Sequence, residues 1–148
     1  MTRVLVVRGH LVNPWELRPW ALLPDRFEVS ALVTASNVFD TGSVPLDQVR
    51  VRSRRDFLPR GRLGDVAMGL FGDRYLRVGE EVEAADIVHA AELSFWFSGE
   101  MARLKAEHGF KLVLTVWETI PFLDTYRNRF ARVYRERALE SADLFLAA

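Results

Sequence analysis

Lys111-Leu112-Val113-Leu114-Thr115-Val116 is the stretch on which the fold turns. After Lys111 it carries no charge, and every residue is apolar or β-branched, the pattern of a strand buried on both faces. Strands of that kind belong to parallel sheets whose faces are covered by helices. Working backward, Leu93, Phe97, Met101 and Leu104 are spaced four, four and three apart, which draws one apolar stripe along a helix. Gly109 stands where a C-cap glycine closes such a helix. Before it, Asp86-Ile87-Val88-His89-Ala90 reads as a second short strand. Working forward, a long helix is expected after Pro121, burying Phe122, Tyr126, Phe130 and Val133, and then a last strand at Leu144-Phe145-Leu146.

The N-terminal half repeats the alternation. Val4-Leu5-Val6-Val7, bounded by Gly9, reads as a buried strand. Asn13 and Pro14 supply a helix cap and a first-turn proline for a short helix over Trp15 to Leu23, ended by Pro24. Phe27 to Thr34 reads as a strand, and Val49-Arg50-Val51-Arg52 alternates as a short or edge strand does. Residues 62–85 read as mostly helical, in one or two pieces, although Gly64, Gly69, Gly72 and Gly79 weaken the pattern. Strands and helices that alternate in this way predict an α/β fold, a Rossmann-like parallel sheet flanked by helices, with residues 1–148 as one domain.

The totals set the class. With 148 residues, 49% of them hydrophobic and 27% charged, the chain can bury a core. The formal net charge is zero, so nothing in it points to a nucleic acid. There is no cysteine, which excludes disulfides and thiolate metal sites and is compatible with the cytoplasm. No apolar run is long enough for a signal peptide or a bilayer crossing. Ending on an apolar strand is expected of a chain that continues into a further domain.

In open parallel sheets, ligands bind beyond the carboxyl ends of the strands. That rule nominates Arg8-Gly9-His10, His89 to Glu92, and Trp117-Glu118-Thr119. Gly9 either lets a ligand approach the backbone or permits the turn. His10 is a proton-transfer or phosphate-donor candidate, or an exposed loop histidine. His89 is a ligand contact or a hydrogen-bonded structural histidine. Glu92 and Glu118, beside aromatic residues, suit sugar hydroxyls or a base, or else complement the starts of the helices they precede. The sequence lacks G-x-G-x-x-G after its first strand, a phosphate-binding G-x-x-x-x-G-K-[ST] and a G-x-S-x-G elbow, and its three histidines have no zinc spacing, so no metal is expected. Arg50, Arg52, Arg54, Arg55, Arg60 and Arg62 cluster around Asp56, either gripping phosphates or an anionic membrane surface or simply facing water. The arginines from Arg127 to Arg137 spread around the last helix and read as a solvated face.

Three phrases carry a resemblance: Ala85-Asp86-Ile87-Val88-His89-Ala90, then Lys111 to Glu118, then Glu140-Ser141-Ala142-Asp143-Leu144-Phe145-Leu146-Ala147. With the order of elements, they resemble the N-terminal domain of family 4 retaining glycosyltransferases, enzymes of two Rossmann-like domains (the GT-B architecture). The resemblance implies that this chain is the acceptor-binding half of an enzyme moving a sugar from a nucleotide-sugar donor to an acceptor carbohydrate or glycolipid. It implies a C-terminal Rossmann-like domain holding most of the donor, no cofactor or metal, and inactivity of this half alone. It places Glu118 as the acidic member of a pair near the reacting sugar, and Gly9, His10, His89, Glu92, Trp117 and Thr119 around the substrate. The chain departs from the pattern at Trp117, where a histidine is usual, at Ala91, where a second histidine is frequent, and in having one glycine after the first strand. Cytoplasmic placement, peripheral contact with the inner membrane face through Arg50–Arg62, and a homodimer are compatible with this reading. The competing reading is a non-catalytic Rossmann-like or flavodoxin-like module that binds a protein through an exposed patch of Trp15, Trp20, Phe95, Trp96 and Phe97.

Overall fold

A computed structural model describes residues 1–59, 61–117 and 128–147. Seven strands form one sheet in the order β4-β3-β2-β1-β5-β6-β7. They are β1 (Thr2–Val7), β2 (Phe27–Thr34), β3 (Asp47–Ser53), β4 (Tyr75–Leu76), β5 (Ile87–Ala91), β6 (Lys111–Val116) and β7 (Leu144–Ala147). All neighbours are parallel except β4, which pairs antiparallel with Arg52 and Ser53 of β3. The helices are α1 (Pro14–Leu17), α2 (Arg62–Phe71), α3 (Gly79–Glu83), α4 (Trp96–His108) and α5 (Arg129–Ser141). The chain runs outward from β1 to β3, then crosses back to β5 and runs outward the other way. This is a Rossmann-like α/β domain.

Alternation along β1 divides the interior. Leu5 and Val7 join the larger core, with Leu32, Val88, Phe97, Met101 and Leu112, while Val6 joins the smaller one beneath α1, with Leu17, Ala31 and Val33. α4 is buried on almost every side, because α5 covers what the sheet does not. Gly99 is the point of closest approach: a Cβ there would lie 2.6 Å from the backbone of Tyr134.

Two short sequences fasten the opposite end of the sheet from the candidate site. Asp86, just before β5, accepts the Arg3 amide at 2.7 Å on its carboxylate and returns its own amide to the Arg3 carbonyl at 3.0 Å. Asp143, just before β7, does the same with Leu112, at 2.8 Å in both directions, and also takes Lys105 Nζ at 2.6 Å. The Lys105 ammonium and the Leu112 amide hold the Asp143 carboxyl down at about 2. These are the aspartates of the Ala-Asp phrases quoted above.

Several local expectations are corrected. The helix expected over Trp15 to Leu23 stops at Leu17, and a 3-10 turn at Trp20–Leu22 follows, because Pro19 cannot donate the amide that a continuous helix needs. Asn13 does cap the helix, accepting the Glu16 amide at 3.0 Å. Residues 62–85 contain the extra strand β4 between their two helices. β3 is longer than expected and carries β4 at its end, with Arg50 and Arg52 facing outward and Val51 inward. The buried face of α5 follows Phe130, Tyr134 and Ala138, and Val133 is exposed. Phe122 and Tyr126 lie outside the described residues. Among the described residues no helix is long and apolar enough to cross a membrane.

Candidate functional site

The carboxyl ends of β1, β5 and β6 meet around one buried arginine. Arg8 is 4% exposed. Its Nη1 donates to the carbonyls of Val7 at 2.9 Å and His89 at 3.0 Å, and its Nη2 lies 3.0 Å from His89 Nδ1. A guanidinium has only donors, so Nδ1 is the acceptor and the ring proton sits on Nε2. Nε2 then donates to Thr115 Oγ1 at 2.8 Å. Burial, and after it the charge of Arg8, pull the His89 pKa down to about 3. His89 is therefore a neutral link between three strands, its ring tilted at 51° against Trp20 with ring centroids 4.6 Å apart. Both of its nitrogens are engaged within the protein.

Burial also lowers the Arg8 pKa, to about 10, with Glu16 opposing, and raises that of Glu16 against the pull of Arg8. Their closest atoms are 3.9 Å apart, a charge contact and not a hydrogen bond. The guanidinium also lies 5.8 Å from the Trp117 ring centroid. Trp117 itself is 42% exposed at this rim.

Glu92 takes a conformation that side-chain residues rarely adopt, with φ at +63°. Its amide donates to the Thr115 carbonyl at 2.8 Å, and its buried Oε1 accepts the Trp117 amide at 2.7 Å. The carboxylate at the end of β5 thus clasps the start of the loop that leaves β6. Glu118 and Thr119, which follow Trp117 in the sequence, lie outside the described residues.

Gly9 answers to packing. It sits at φ +61°, and a Cβ there would overlap the Phe97 ring and lie 3.2 Å from Trp96 Cζ2. The first turn of α4 can press against the end of β1 only because that side chain is missing. His10 follows, half-buried, its carbonyl accepting the Val38 amide at 3.0 Å. Its Nδ1 is buried and has no hydrogen-bond partner among the described residues. Burial chiefly, and the charge of Arg55 next, lower its pKa, so the ring is neutral at pH 7.

His10 opens onto a cavity of about 360 Å³. It lies where the chain reverses direction between β1 and β5, the crevice in which open α/β sheets bind ligands. Phe95 and Trp96 wall it from the start of α4, and Phe130 and Tyr134 from α5. His10, Arg55, Asp73, Ser94 and Asn128 supply its polar groups. Asp73 is 8% exposed and accepts from the Arg74 amide at 2.8 Å and the Ser53 hydroxyl at 3.2 Å. Burial pushes its pKa up despite these donors. Gly72, at φ +67°, admits the Tyr134 hydroxyl, which donates to the Asp73 carbonyl at 3.1 Å.

Sequence reasoning placed Gly9, His10, His89, Glu92 and Trp117 on one rim, and the structure sets all five beyond or at the carboxyl ends of β1, β5 and β6, but of them only His10 lines the cavity. It missed Arg8 as the hub, and it missed Asp73, Trp96 and Tyr134 in the cavity. A signal for Arg8 existed, since a charged residue directly after four buried apolar ones needs a partner. None existed for Asp73, which lies in the glycine-broken stretch. The patch expected of the competing reading does not form as one surface. Trp15 is 72% exposed and Phe95 38%, but Trp96 and Phe97 belong to the core.

No protein-family model matches the chain, and no curated protein matches it in sequence. Two solved structures overlay on 99% of it. One is a protein of unknown function from Vibrio parahaemolyticus, 15% identical, with 92% of that chain covered and a TM-score of 0.44. The other is a wide-type short-chain dehydrogenase/reductase from Veillonella parvula in complex with NADP, 8% identical, with 68% of that chain covered and a TM-score of 0.49.

Proposed function

We propose that this chain is the acceptor-side domain of a family 4 glycosyltransferase, and that the cavity beyond β1 and β5 receives an acceptor carbohydrate. The observation that carries the proposal is the cavity's make-up at that crevice: aromatic faces from Phe95, Trp96, Phe130 and Tyr134 beside the polar edges of His10 and Asp73. Sugar rings present apolar C–H faces and a rim of hydroxyls, so a site of flat aromatics edged by acceptors and donors matches them. The sequence resemblance points to the same class.

In this reading the residues divide their work. Phe95, the exposed aromatic of the wall, stacks on the sugar with Trp96 backing it from the core, and neutral His10 can accept or donate a hydrogen bond to a hydroxyl. Arg8 and His89 hold the ends of β1, β5 and β6 at fixed spacing. Glu92 fixes the amide of Trp117, the residue before Glu118, for which the resemblance implies a role near the reacting sugar. The donor nucleotide-sugar would be held mainly by a second Rossmann-like domain, so transfer is not expected of this chain by itself.

The test is ligand-observed NMR on the chain with mono- and disaccharides, nucleotide-sugars and NADP. Saccharide binding that Phe95→Ala or His10→Ala removes is the expected result. Binding of NADP with no saccharide response would overturn the proposal.

A further inference from the structure

α2 buries only part of its circumference. Met68 faces the cavity, and Gly64 packs on the backbone of Pro59. Leu63, Val66 and Leu70, three and four residues apart, form a single outward stripe and are 78%, 61% and 54% exposed. Phe71 at the end of the helix and Phe57 in the 3-10 turn before it are 66% and 61% exposed. Exposed apolar side chains scattered singly are ordinary, but an ordered stripe along one helix is not.

The charge around this stripe is net positive. Residues 50–77 contain eight arginines against three aspartates, with no lysine or glutamate, a net +5. The whole chain is neutral, so the rest carries −5. Two of these cations, and Arg129 from α5, are attached to α2 itself. Arg54 Nη1 donates to the Phe71 carbonyl at 3.0 Å, Arg129 donates to the Leu70 carbonyl, and Arg55 Nη2 pairs with Asp65 at 3.3 Å. The first two complement the negative end of the helix dipole. The third neutralises the only acid on the helix, and Arg62 adds an exposed guanidinium in its first turn.

An apolar stripe ringed by arginine is the make-up of a helix that lies in the plane of a lipid surface. Protein interfaces also favour arginine, but the net +5 of this segment has its direct complement in the head-group phosphates of an anionic lipid surface. We propose that α2 docks this domain on an anionic lipid surface, with Leu63, Val66 and Leu70 inserted and the arginines on head-group phosphates. Because Met68 and Gly72 belong to both the helix region and the cavity wall, docking sets the cavity beside the lipid surface. If the acceptor-binding role holds, the acceptor is then a lipid-linked sugar; the docking itself does not depend on that role.

Co-sedimentation of the chain with phosphatidylcholine vesicles, with and without a minority of phosphatidylglycerol, tests this. The expected result is sedimentation with the anionic vesicles only, reversed by raised salt and abolished by Val66→Glu with Leu70→Glu. Arg62→Glu should weaken partitioning at least about fivefold, since one basic residue near such a surface contributes roughly that factor. No sedimentation with anionic vesicles overturns the proposal, as does binding that the double variant leaves unchanged. A dimer in light scattering that the same variant dissociates also overturns it, because a second copy then covers the stripe. Saccharide titration of the double variant separates the two readings: retained sugar binding with lost vesicle binding leaves both standing, and sugar binding in a wild-type chain that ignores vesicles removes only this one.

Discussion

Protonating His89 should unfasten the three strand ends it joins, and the size of the effect follows from its surroundings. The ring is neutral in the fold with a pKa of about 3, against an ordinary value of 6.5. The unfolded chain therefore binds a proton in the window between those values while the folded chain does not, so stability falls as pH drops through it. At pH 5 the unfolded histidine lies about 1.5 pH units below its own pKa, worth roughly 2 kcal/mol. The residue is only 5% exposed, so solvent screening takes little from that figure. Urea unfolding followed by tryptophan fluorescence at pH 7 and pH 5 measures it, with an expected fall in midpoint of roughly 1 M. His89→Gln is the control, because its amide oxygen can accept from Arg8 and its amide nitrogen donate to Thr115 without titrating. Glu16 and Asp73, whose pKa values are raised by burial, contribute equally to both proteins and cancel in the comparison. Equal pH dependence in the wild type and His89→Gln would refute the assignment of His89 as a neutral, fully engaged link.

Three further outcomes follow from single positions. Gly99→Ala forces a methyl to within 2.6 Å of the Tyr134 backbone, so neither helix can yield by a rotamer change alone. It should cost about 1–3 kcal/mol and lower Tm by roughly 3–10 °C. Gly109→Ala meets no atom within 4 Å and bears only the strain of φ +77°, so it should cost about 1 kcal/mol, and the two together separate packing from backbone strain. Glu92→Leu removes the acceptor of the Trp117 amide, and hydrogen exchange at that amide should then accelerate while exchange within β5 and β6 is unchanged.

The parts of the fold that could be read from sequence are those whose reason is local. β1, β2 and β6 are buried on both faces, so their apolar runs declare them, and Asn13 and Gly109 mark helix ends by chemistry confined to a few residues. β4 is two residues long and exists because β3 offers it an antiparallel partner, a fact no window around Tyr75 contains. The candidate rim was legible by the same rule that places ligands beyond strand ends. What each residue does there was not. His89 is made neutral by burial and then by the charge of Arg8, which lies 81 positions away in the sequence. Gly9 serves the ring of Phe97, and Asp73 reaches the cavity through a glycine-broken stretch that has no period. Phe97 was legible on the apolar stripe of α4, whereas the competing reading set Trp96 and Phe97 on the surface because aromatics at a helix start have no partner until the end of β1 arrives against them.

Asp86 and Asp143 give the molecule an anchored rim and a working rim. The contacts that decide which residue of β1 faces β5, and which of β6 faces β7, are made by backbone groups of Arg3 and Leu112, at the far end of the strands from Gly9, Glu92 and Trp117. Alignment of the sheet is thus set without reference to the loops where a ligand would sit. Those loops can lengthen, shorten or exchange their side chains with no leverage on strand pairing. A lineage built on this frame would be free to change what it recognises while keeping little more in common than its paired Ala-Asp steps.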